Sequence, residues 1–542
     1  MTVQFDPHYY PYPSKRNMNY ASRGMVCASH PLAAQAGLEI LKKGGNAVDA
    51  AIATAAALTV VEPTANGIGS DAFALLWKEG RLLGYNASGP APRALSLDLA
   101  ESKGWTAPSA GGHLPACGWT PATVPGAPAA WAELTEKHGR LSLEENLAPA
   151  VFLARNGHAV SVTTAHHWNL AFEKYLKEKG EEFRPWFDTF APSGRTPRAG
   201  EVWSSEGHAH TLELIGSTNA RAFYEGEIAD RILAAARRTG GYFTAEDLGN
   251  FKPEWVEPLG VNYKGYDVWE IPPNGQGIVA LIALSVLREF DFSSHDDPLV
   301  IHRQIEAIKM GFADAHRYVA DTRFASVPAQ ELLAKEYADS RRAQLRERAE
   351  DRQAGNPLPG GTVYLAAADG EGNMISYIQS NYMGFGCGVV IPDTGIALNN
   401  RGHCFSLTAG HPNVLEPGKR PYNTIIPAFL TKEGKPVGPF GVMGGFMQPQ
   451  GHVQMVMNTV DFEMNPQQAL DAPRWQWMGG MNVSVEPGFS PAVAQSLHRR
   501  GHAVKFELES NSFGRGEIIW RTPEGTLAGG TESRTDGCVA VW

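Results

Sequence analysis

Thr362 is the residue whose type and position in this chain most suggest chemistry. It follows a Pro-Gly-Gly sequence and opens an alternating, strand-like run. A hydroxyl is a weak nucleophile without a base, but a terminal α-amine with a pKa near about 8 supplies a base on the same residue. That amine exists only if the bond between Gly361 and Thr362 breaks, and a glycine there leaves the carbonyl open to attack. Because Gly-Gly-Thr is more often an ordinary strand start, the pattern alone does not establish a nucleophile.

The glycine-rich turn at 275–280 is a second candidate site. Gly275, Gly277 and Ala280 follow a strand-like run and resemble part of a dinucleotide-binding fingerprint. Pro272 and Pro273 separate them from that run, and no acidic residue is suitably placed downstream. We therefore interpret the segment as a structural turn before a helix. The sequence contains no HExxH, Walker A, GxSxG or protein-kinase signature.

Histidines and cysteines give little indication of a metal site. His158, His166 and His167 could ligate a metal only if their loop folded back on itself, so we interpret them as structural. The five cysteines are widely spaced and form no CxxC pair, which argues against a zinc site and a disulfide framework. They are interpreted as reduced thiols, at Cys27, Cys117, Cys387, Cys404 and Cys538.

Composition favours a globular protein with a small-molecule partner. Of the 542 residues, 43% are hydrophobic and 19% charged, which is ordinary for a folded chain. The formal net charge of -10 provides no basic surface for nucleic acid or anionic lipid. The first twenty residues lack the basic and apolar regions of a secretory signal, and no run could span a bilayer. We therefore expect a cytoplasmic location, with no nucleic-acid or membrane partner.

Hydrophobic periodicity predicts mainly helices before Thr362 and mainly strands immediately after it. The predicted helices are 31–41, 47–61, 449–460, 466–473 and a charged helix that begins at 341 and runs into a Pro/Gly linker ending at 360. The clearest predicted strands before Thr362 are 72–77 and 266–273. This order of elements predicts a layered α+β sandwich and not a doubly wound parallel sheet. The sharpest change of character lies at 361/362.

Short motifs occur along almost the whole chain. Before the linker these motifs lie at 44–50, 223–226, 240–241, 246–248, 263–266 and 272–273. After it they lie at 362–369, 373, 385–386, 395, 399–400, 419–421, 444–445 and 472–474. In sequence and in order they resemble those of the γ-glutamyltransferases, which are N-terminal-nucleophile hydrolases. Within the family, the sequence most resembles the signal-less bacterial glutathione-hydrolase-like proteins and oxamate amidohydrolases.

The resemblance implies a four-layer αββα sandwich, made as a precursor and cut before a threonine. The products would be a large subunit, 1–361, and a small subunit, 362–542, intertwined in one globular unit. The partners implied are these two subunits and a small-molecule amide, and a homodimer of such protomers occurs among relatives. Neither a metal nor an organic cofactor is expected.

The same resemblance assigns the catalytic residues. Thr362 matches the nucleophile, and the cut falls between it and Gly361. Ser380 matches the hydroxyl residue that hydrogen-bonds the nucleophile. Gly444 and Gly445 match the oxyanion hole, where glycine amides can approach a tetrahedral intermediate closely.

The expected substrate-binding residues depart from the pattern for a γ-glutamyl group. Asn86 replaces an arginine and Cys404 replaces an aspartate, which would remove charged hydrogen bonds of about 1.5 to 3 kcal/mol each. Asn423 and Thr424 replace a pair of serines, and Arg401 stands where a neutral side chain is common. We hypothesise that Arg401 and Thr424 bind a carboxylate in a different pose. The alternative is that Arg401 is structural and holds the loop at 399–400.

The sequence therefore predicts an autoprocessing amidohydrolase that cleaves a small amide through a threonine acyl-enzyme. Hydrolysis is favoured over transpeptidation because no acceptor site can be recognised. The acyl group is γ-glutamyl or a related group, and the alternatives are an oxamate-type amidohydrolase and a cephalosporin-type acylase. A catalytically inert binding relative is the alternative from outside the enzymes.

Overall fold

The computed structural model describes residues 16–107, 112–352 and 361–542, without the side chain of Asn511. Most of the predicted Pro/Gly linker, 353–360, and the first fifteen residues lie outside these ranges. The strands are β1 (Asn19–Ala21), β2 (Gly24–Ala28), β3 (Asp71–Lys78), β4 (Arg81–Ala87), β5 (His158–Ala159), β6 (Val202–Trp203), β7 (Glu254–Val256), β8 (Leu259–Tyr263), β9 (Tyr266–Glu270), β10 (Gly361–Asp369), β11 (Met374–Tyr382), β12 (Ala428–Lys432), β13 (Lys435–Met443), β14 (Trp475–Gly479), β15 (Asn482–Val485), β16 (Ala503–Phe506), β17 (Arg515–Arg521), β18 (Leu527–Thr531) and β19 (Cys538–Val541).

Helices occur between most of these strands. They are α1 (Pro31–Lys42), α2 (Ala47–Val61), α3 (Leu97–Ser102), α4 (Ala127–His138), α5 (Leu143–Asn156), α6 (Val162–Tyr175), α7 (Arg184–Phe190), α8 (Glu206–Ser217), α9 (Arg221–Glu225), α10 (Glu227–Thr239), α11 (Ala245–Gly249), α12 (Gly277–Leu287), α13 (Pro298–Tyr318), α14 (Ala329–Leu332), α15 (Lys335–Arg342), α16 (Met447–Val460), α17 (Pro466–Asp471) and α18 (Pro491–Arg499). Among the described residues, no helix is both long and apolar enough to cross a bilayer.

Two seven-stranded sheets form the centre of the molecule. Sheet I has the strand order β19-β2-β10-β11-β3-β4-β7, and sheet II has the order β1-β18-β17-β13-β12-β9-β8. Every strand pair within both sheets is antiparallel. The mixed helix and sheet content predicted from the sequence is confirmed, and the two large sheets are not doubly wound parallel sheets.

Strand β10 shows how alternate residues serve two cores. Val363, Leu365 and Ala367 belong to the core that sheet I forms with helices α1 and α2. Tyr364 and Ala366, which point the opposite way, belong to the core between the two sheets. Since both faces of the strand are covered, β10 is apolar at nearly every position.

Helices cover each sheet for reasons visible in their sequences. Helix α2 is buried at every position, and its many alanines allow close contact with β10 and β11. Gly37 of α1 approaches it so closely that a Cβ there would lie 2.2 Å from Oγ1 of Thr54. On sheet II, the wholly buried helix α12 packs against β8, β9, α13 and α16. The bounds of α1 and α2 confirm the helices predicted over 31–41 and 47–61.

Two element boundaries differ from the sequence prediction. The charged helix predicted to begin at 341 is wrong, because α15 spans Lys335–Arg342 and turns follow it. The strand predicted over 266–273 ends at Glu270, before Pro272 and Pro273, because proline cannot donate to a strand ladder.

Candidate active site

Thr362 lies second in β10, at an irregularity in the pairing with β11. Gly361 pairs with Tyr382 and Val363 pairs with Gln379, so two residues of β11 oppose Thr362. Such a bulge turns side chains away from regular alternation and often occurs beside active sites. At this bulge the hydroxyl of Thr362 lies 3.0 Å from that of Ser380, and both side chains are buried.

Ser380 is oriented by its own strand. Its Oγ accepts a 2.8 Å hydrogen bond from the backbone N–H of Tyr382. Tyr382 has a φ of 75°, a left-handed conformation that is costly for a residue other than glycine. From this position the hydroxyl of Ser380 shares the 3.0 Å hydrogen bond with the hydroxyl of Thr362, in which either oxygen can be the donor.

Gly444 and Gly445 form the turn between β13 and α16. Their φ values are 132° and 61°, which glycine adopts without strain. Within the described part of the chain, no group accepts a hydrogen bond from the backbone N–H of either glycine. The carbonyl of Gly445 is fixed by a 2.9 Å bond from Nε2 of Gln276. Two oriented N–H groups of this kind can stabilise an oxyanion.

Thr362 and Gly444 line one cavity of about 360 Å³. Apolar side chains of α6 and β13 form part of its wall. Three nitrogen-bearing side chains, His167, Lys174 and Arg515, also line it, and among the described residues no carboxylate does. The cavity therefore combines a hydroxyl, a glycine turn and positive charge, which suits an amide or ester substrate with an anionic part.

Arg401 and Asp71 form a fully buried ion pair. Nε of Arg401 lies 2.9 Å from Oδ2 of Asp71, and Nη2 lies 3.2 Å from Oδ1. The remaining guanidinium nitrogen, Nη1, donates to Oγ1 of Thr424 at 2.7 Å. Nδ2 of Asn423 donates to Oδ2 of Asp71 at 2.7 Å. This group is hydrogen-bonded internally, and none of its members lines the cavity.

Asn86 lies in a neighbouring hydrogen-bonded network. Its Nδ2 donates to Oδ1 of Asn274 at 3.0 Å, and its Oδ1 accepts from the backbone N–H and hydroxyl of Ser88. Cys404 ends the short 3-10 helix that begins at Arg401, and burial raises the pKa of its thiol. None of the substrate-binding residues predicted from the sequence therefore lines the cavity.

Arg515 is held in the cavity wall by two neighbouring side chains. Its Nη1 lies 3.2 Å from Oε1 of Glu62, and its Nη2 donates to Nε2 of His167. Burial and the charge of Arg515 lower the pKa of His167 to about 3, so the imidazole is neutral and accepts this bond. Burial raises the pKa of Glu62 to about 7, although Arg515 opposes that shift.

Residues elsewhere could be considered for a metal or a nucleotide. The ligand atoms of His302, Glu306 and His502 lie within 4.8 Å of one another. However, Nδ1 of His302 and Nε2 of His502 already share a 2.9 Å hydrogen bond, and Nζ of Lys309 lies 2.7 Å from Glu306. The turn at Gly275 leads into α12, as predicted. The residue after Gly275 is Gln276, whose side chain donates the hydrogen bond to the carbonyl of Gly445 described above.

A family model described as gamma-glutamyltranspeptidase matches residues 33–542. The chain belongs to the gamma-glutamyltranspeptidase family. It is 36% identical over 527 residues to the glutathione hydrolase-like YwrD proenzyme of Bacillus subtilis, a match that covers 95% of this chain and 98% of that protein. It is 32% identical over 535 residues to the oxamate amidohydrolase proenzyme of Klebsiella pneumoniae, covering 96% and 99%. The family and branch expected from the sequence are confirmed.

A solved structure provides a further comparison for this gamma-glutamyltranspeptidase family member. The cephalosporin acylase from Bacillus halodurans is 57% identical, with a TM-score of 0.96 over 100% of this chain and 99% of that one. The protein is thus an enzyme of the family's proenzyme hydrolases and acylases.

Sequence reasoning missed several residues of this site. Asp71 gave a usable signal, because a carboxylate at the start of an otherwise apolar strand requires a buried partner. His167 was interpreted as structural, but it lines the cavity. Lys174 and Arg515 carried no local signal, since Arg515 lies far along the chain from the helix that it faces.

Proposed function

We propose that this protein is an autoprocessing amidohydrolase that cuts its own chain between Gly361 and Thr362 and then uses Thr362 as its nucleophile. The observation that carries the proposal is the position of the Thr362 hydroxyl, 3.0 Å from that of Ser380 and on the same cavity as Gly444. The cut yields a large subunit, 1–361, and a small subunit, 362–542.

In the proposed maturation, Oγ1 of Thr362 attacks the carbonyl carbon of Gly361. The peptide nitrogen of Thr362 leaves as an amine and takes up the hydroxyl proton, so that an ester replaces the amide. Water then hydrolyses this ester, which leaves a carboxylate on Gly361 and restores the hydroxyl beside a free α-amine.

In the proposed turnover, the α-amine of Thr362 takes the proton of its own hydroxyl as the oxygen attacks a substrate amide. The N–H groups of Gly444 and Gly445 stabilise the oxyanion, and Ser380 holds the hydroxyl in place. The protonated amine then gives its proton to the departing substrate amine. Water hydrolyses the threonine ester, releases the acid and regenerates the hydroxyl.

The arrangement of the hydrophobic cores supports a four-layer αββα sandwich. One core joins helices α1 and α2 to sheet I, a second joins sheet I to sheet II, and a third joins sheet II to α12, α13 and α16. We infer that the two proposed subunits share both sheets in one intertwined unit. In this arrangement β10 and β13 carry the two halves of the catalytic site into the middle of the molecule.

We take the substrate to be a small amide with a γ-glutamyl or related acyl group. Arg401 is already paired with Asp71, so we propose the structural alternative for it and not direct binding of a substrate carboxylate. Asn86, Asn423, Thr424 and Cys404 would then act through the buried structure outside the cavity and not by direct contact with the substrate. The 57% identity to a cephalosporin acylase favours an acylase as the second candidate, ahead of an oxamate-type amidohydrolase.

Substitution of the proposed nucleophile tests this function against an inert binding relative. We expect Thr362→Ala to lose amide hydrolysis by at least about 1,000-fold, because no hydroxyl remains to form the acyl-enzyme. Thr362→Ser should keep measurable activity, and the exposed Thr408→Ala serves as a matched control. Hydrolysis of a panel of amide substrates is the measurement. Equal activity in wild type and Thr362→Ala, or no hydrolysis of any amide by wild type, would reject the enzyme proposal.

A further inference from the structure

Gln276 is a fully buried side chain that contacts the turn between β13 and α16. It lies at the start of α12, in the part of the chain that precedes Thr362. Its Nε2 donates two hydrogen bonds, to the carbonyl of Gly445 at 2.9 Å and to the carbonyl of Thr424 at 2.6 Å. Its Oε1 accepts from the hydroxyl of Tyr422 at 3.1 Å. The nitrogen and the oxygen of this amide are therefore both hydrogen-bonded.

The chemistry of these partners fixes the direction of the Gln276 amide. A backbone carbonyl only accepts hydrogen bonds, so the NH2 group must face Gly445 and Thr424, while the hydroxyl of Tyr422 donates to the oxygen. The backbone of Gln276 is fixed as well, because its N–H donates to the carbonyl of Asn423 at 3.0 Å. The side chain is therefore held in place before any substrate arrives.

The glycine turn, Gly444 and Gly445, has few restraints of its own, because glycine has more backbone freedom than any other residue. The carbonyl of Gly444 accepts from the N–H of Met447, at 3.1 Å, at the start of α16. In a trans peptide the N–H points opposite to the preceding carbonyl, so the N–H of Gly445 points away from that helix. The carbonyl of Gly445 accepts from the N–H of Gln448 at 3.2 Å, and the bond from Gln276 adds a restraint from outside the helix.

Gln276 also joins the glycine turn to the polar group beside Ser380. The carbonyl of Thr424 accepts from Gln276, and its hydroxyl accepts from Arg401. Arg401 is paired with Asp71, which lies opposite Ser380 in the ladder between β3 and β11. A continuous hydrogen-bonded path thus runs from the glycine turn to the neighbour of Ser380.

We propose that Gln276 is a positioning residue that holds the N–H groups of the glycine turn in the direction that stabilises the oxyanion. The inference rests on the proposed function, since it concerns the step in which Thr362 attacks an amide. Gln276 does not line the cavity, so its effect passes through Gly445. Because Gln276 precedes Thr362 and the glycine turn follows it, the proposed large subunit completes the oxyanion site of the small one.

Substitution of Gln276 by methionine tests this role in catalysis. Gln276→Met keeps a similar length but donates no hydrogen bond. We expect kcat to fall by about 30-fold while KM changes by less than about 2-fold, because the glycine turn binds the transition state more strongly than the ground state. The probes are γ-glutamyl-, glutaryl- and acetyl-p-nitroanilide, and the comparison uses the one that matured wild type hydrolyses fastest.

Gln454→Met is a matched control for the loss of buried hydrogen bonds. Nε2 of Gln454 also donates to two backbone carbonyls, those of Gln450 and Trp475, each at 3.1 Å. This residue lies about two turns beyond the start of α16. The control should lower the free energy of unfolding but leave kcat unchanged.

Tyr422→Phe is a milder second variant. It keeps the ring of Tyr422 and removes only the hydroxyl that donates to Oε1 of Gln276. We expect it to remain folded and to lower kcat by about 3-fold, because the amide of Gln276 loses one of the bonds that orient it.

Hydrogen exchange measures the same restraint without a substrate. A peptide that spans 442–449 should exchange its backbone amides at least about 3-fold faster in Gln276→Met than in wild type, because the glycine turn opens more often. In Gln454→Met the same peptide should exchange at the wild-type rate. Mass spectrometry of peptides after exchange in native buffer gives both rates.

The outcomes separate this inference from the proposed function. If wild type hydrolyses an anilide and Gln276→Met does so with the wild-type kcat, the positioning role is rejected while the nucleophile proposal stands on its own test. An equal loss of kcat in Gln454→Met, or unchanged exchange over 442–449 in Gln276→Met, would also reject it. If Gln276→Met does not fold, a wild-type kcat in Tyr422→Phe rejects the role.

Two further results concern the probes themselves. If wild type hydrolyses none of the three anilides, the positioning role is rejected, and the proposed function is decided by its own panel of amides. If Thr362→Ala hydrolyses the anilides as wild type does, both proposals fail.

Discussion

Glu62 is the residue whose ionisation bears most directly on the Thr362 cavity. It ends the hydrophobic run of α2 in a buried position and lies next to Arg515. Burial raises its pKa to about 7, so near neutral pH it is partly protonated. When it is protonated, Arg515 loses a competing anion and is freer to interact with a ligand.

The titration of Glu62 predicts a pH-dependent stability. Because its folded pKa is above the usual value of 4.5, the folded state favours the protonated form, and stability declines as pH rises from about 4.5 through 7. Glu62→Gln removes this dependence. We expect the variant to gain about 3 kcal/mol relative to wild type between pH 4.5 and pH 8. Urea unfolding across that range measures the change.

A suitable control is Glu39→Gln, which replaces an exposed carboxylate of α1. Its unfolding midpoint should follow the wild-type pH profile. Parallel profiles for wild type and Glu62→Gln would contradict the account of Glu62.

Thr362 and Gly444, which the sequence predicts to be catalytic, line one cavity, whereas the predicted substrate-binding residues do not. Thr362 and Gly444 could be predicted because each sits in a short motif that resembles one of the family. The partner of Arg401 could not be predicted, since Asp71 is 330 positions away and only the fold brings the two together. Long-range pairs of this kind leave no local periodicity to detect.

At the level of elements, the motif at 44–50 is explained by the start of α2. Asn46 caps the helix and Asp49 completes a capping box. Asp49 also accepts hydrogen bonds from the backbone N–H groups of Arg140 and Leu141 and from Nδ2 of Asn146. A single buried carboxylate thus joins the start of α2 to the loop between α4 and α5.

This arrangement predicts a large cost for a nearly isosteric change at Asp49. Asp49→Asn removes the charge that these donors share and replaces one acceptor oxygen by an amino group. We expect a loss of about 3 kcal/mol or more in the free energy of unfolding. Asp98→Asn, at an exposed first-turn position of α3, should cost far less. Urea unfolding of both variants checks the difference, and equal midpoints would contradict it.

Helices were predicted more accurately where the sequence contains clear start and stop residues. Helices α1 and α2 were predicted closely because Pro31 and Asn46 mark their starts, and glycines follow α1. The helix near 341 was misplaced because its charged sequence continues past Arg342 without a strong stop signal. Periodicity is weakest where every position is polar.

At the scale of the whole molecule, the two proposed subunits are interleaved in sheet I. Strand β10 contains Thr362 and β11 follows it in the sequence, and the two strands lie between β2 on one side and β3 on the other. The C-terminal strand β19 pairs with the outer edge of β2. Sheet II likewise alternates segments from before and after Thr362. Separation of the subunits would therefore break both sheets.

Interleaving predicts that the matured protein stays together in native buffer. We expect one peak in size-exclusion chromatography at a mass no smaller than the sum of both subunits, and two bands only on a denaturing gel. The physical reason is that ladder hydrogen bonds and all three cores cross the proposed subunit boundary. Elution of a separate small subunit from native buffer would contradict this arrangement.

The order of the strands within each sheet could not be predicted from the sequence. Alternation identifies a strand but does not say which strand lies beside it, and β19 pairs with β2 across almost the full chain length. The layered class was predicted from the order of helices and strands, whereas the neighbours were set by packing of distant segments.

Intact-mass spectrometry of the purified protein tests whether the chain cuts itself before Thr362. We expect wild type to resolve into two polypeptides whose masses correspond to 1–361 and 362–542, with a free threonine amine at the start of the second. Thr362→Ala should remain a single chain of 542 residues under the same incubation. A wild-type chain that stays intact, or a cut at any other bond, would contradict the claim that Thr362 is a self-generated N-terminal nucleophile.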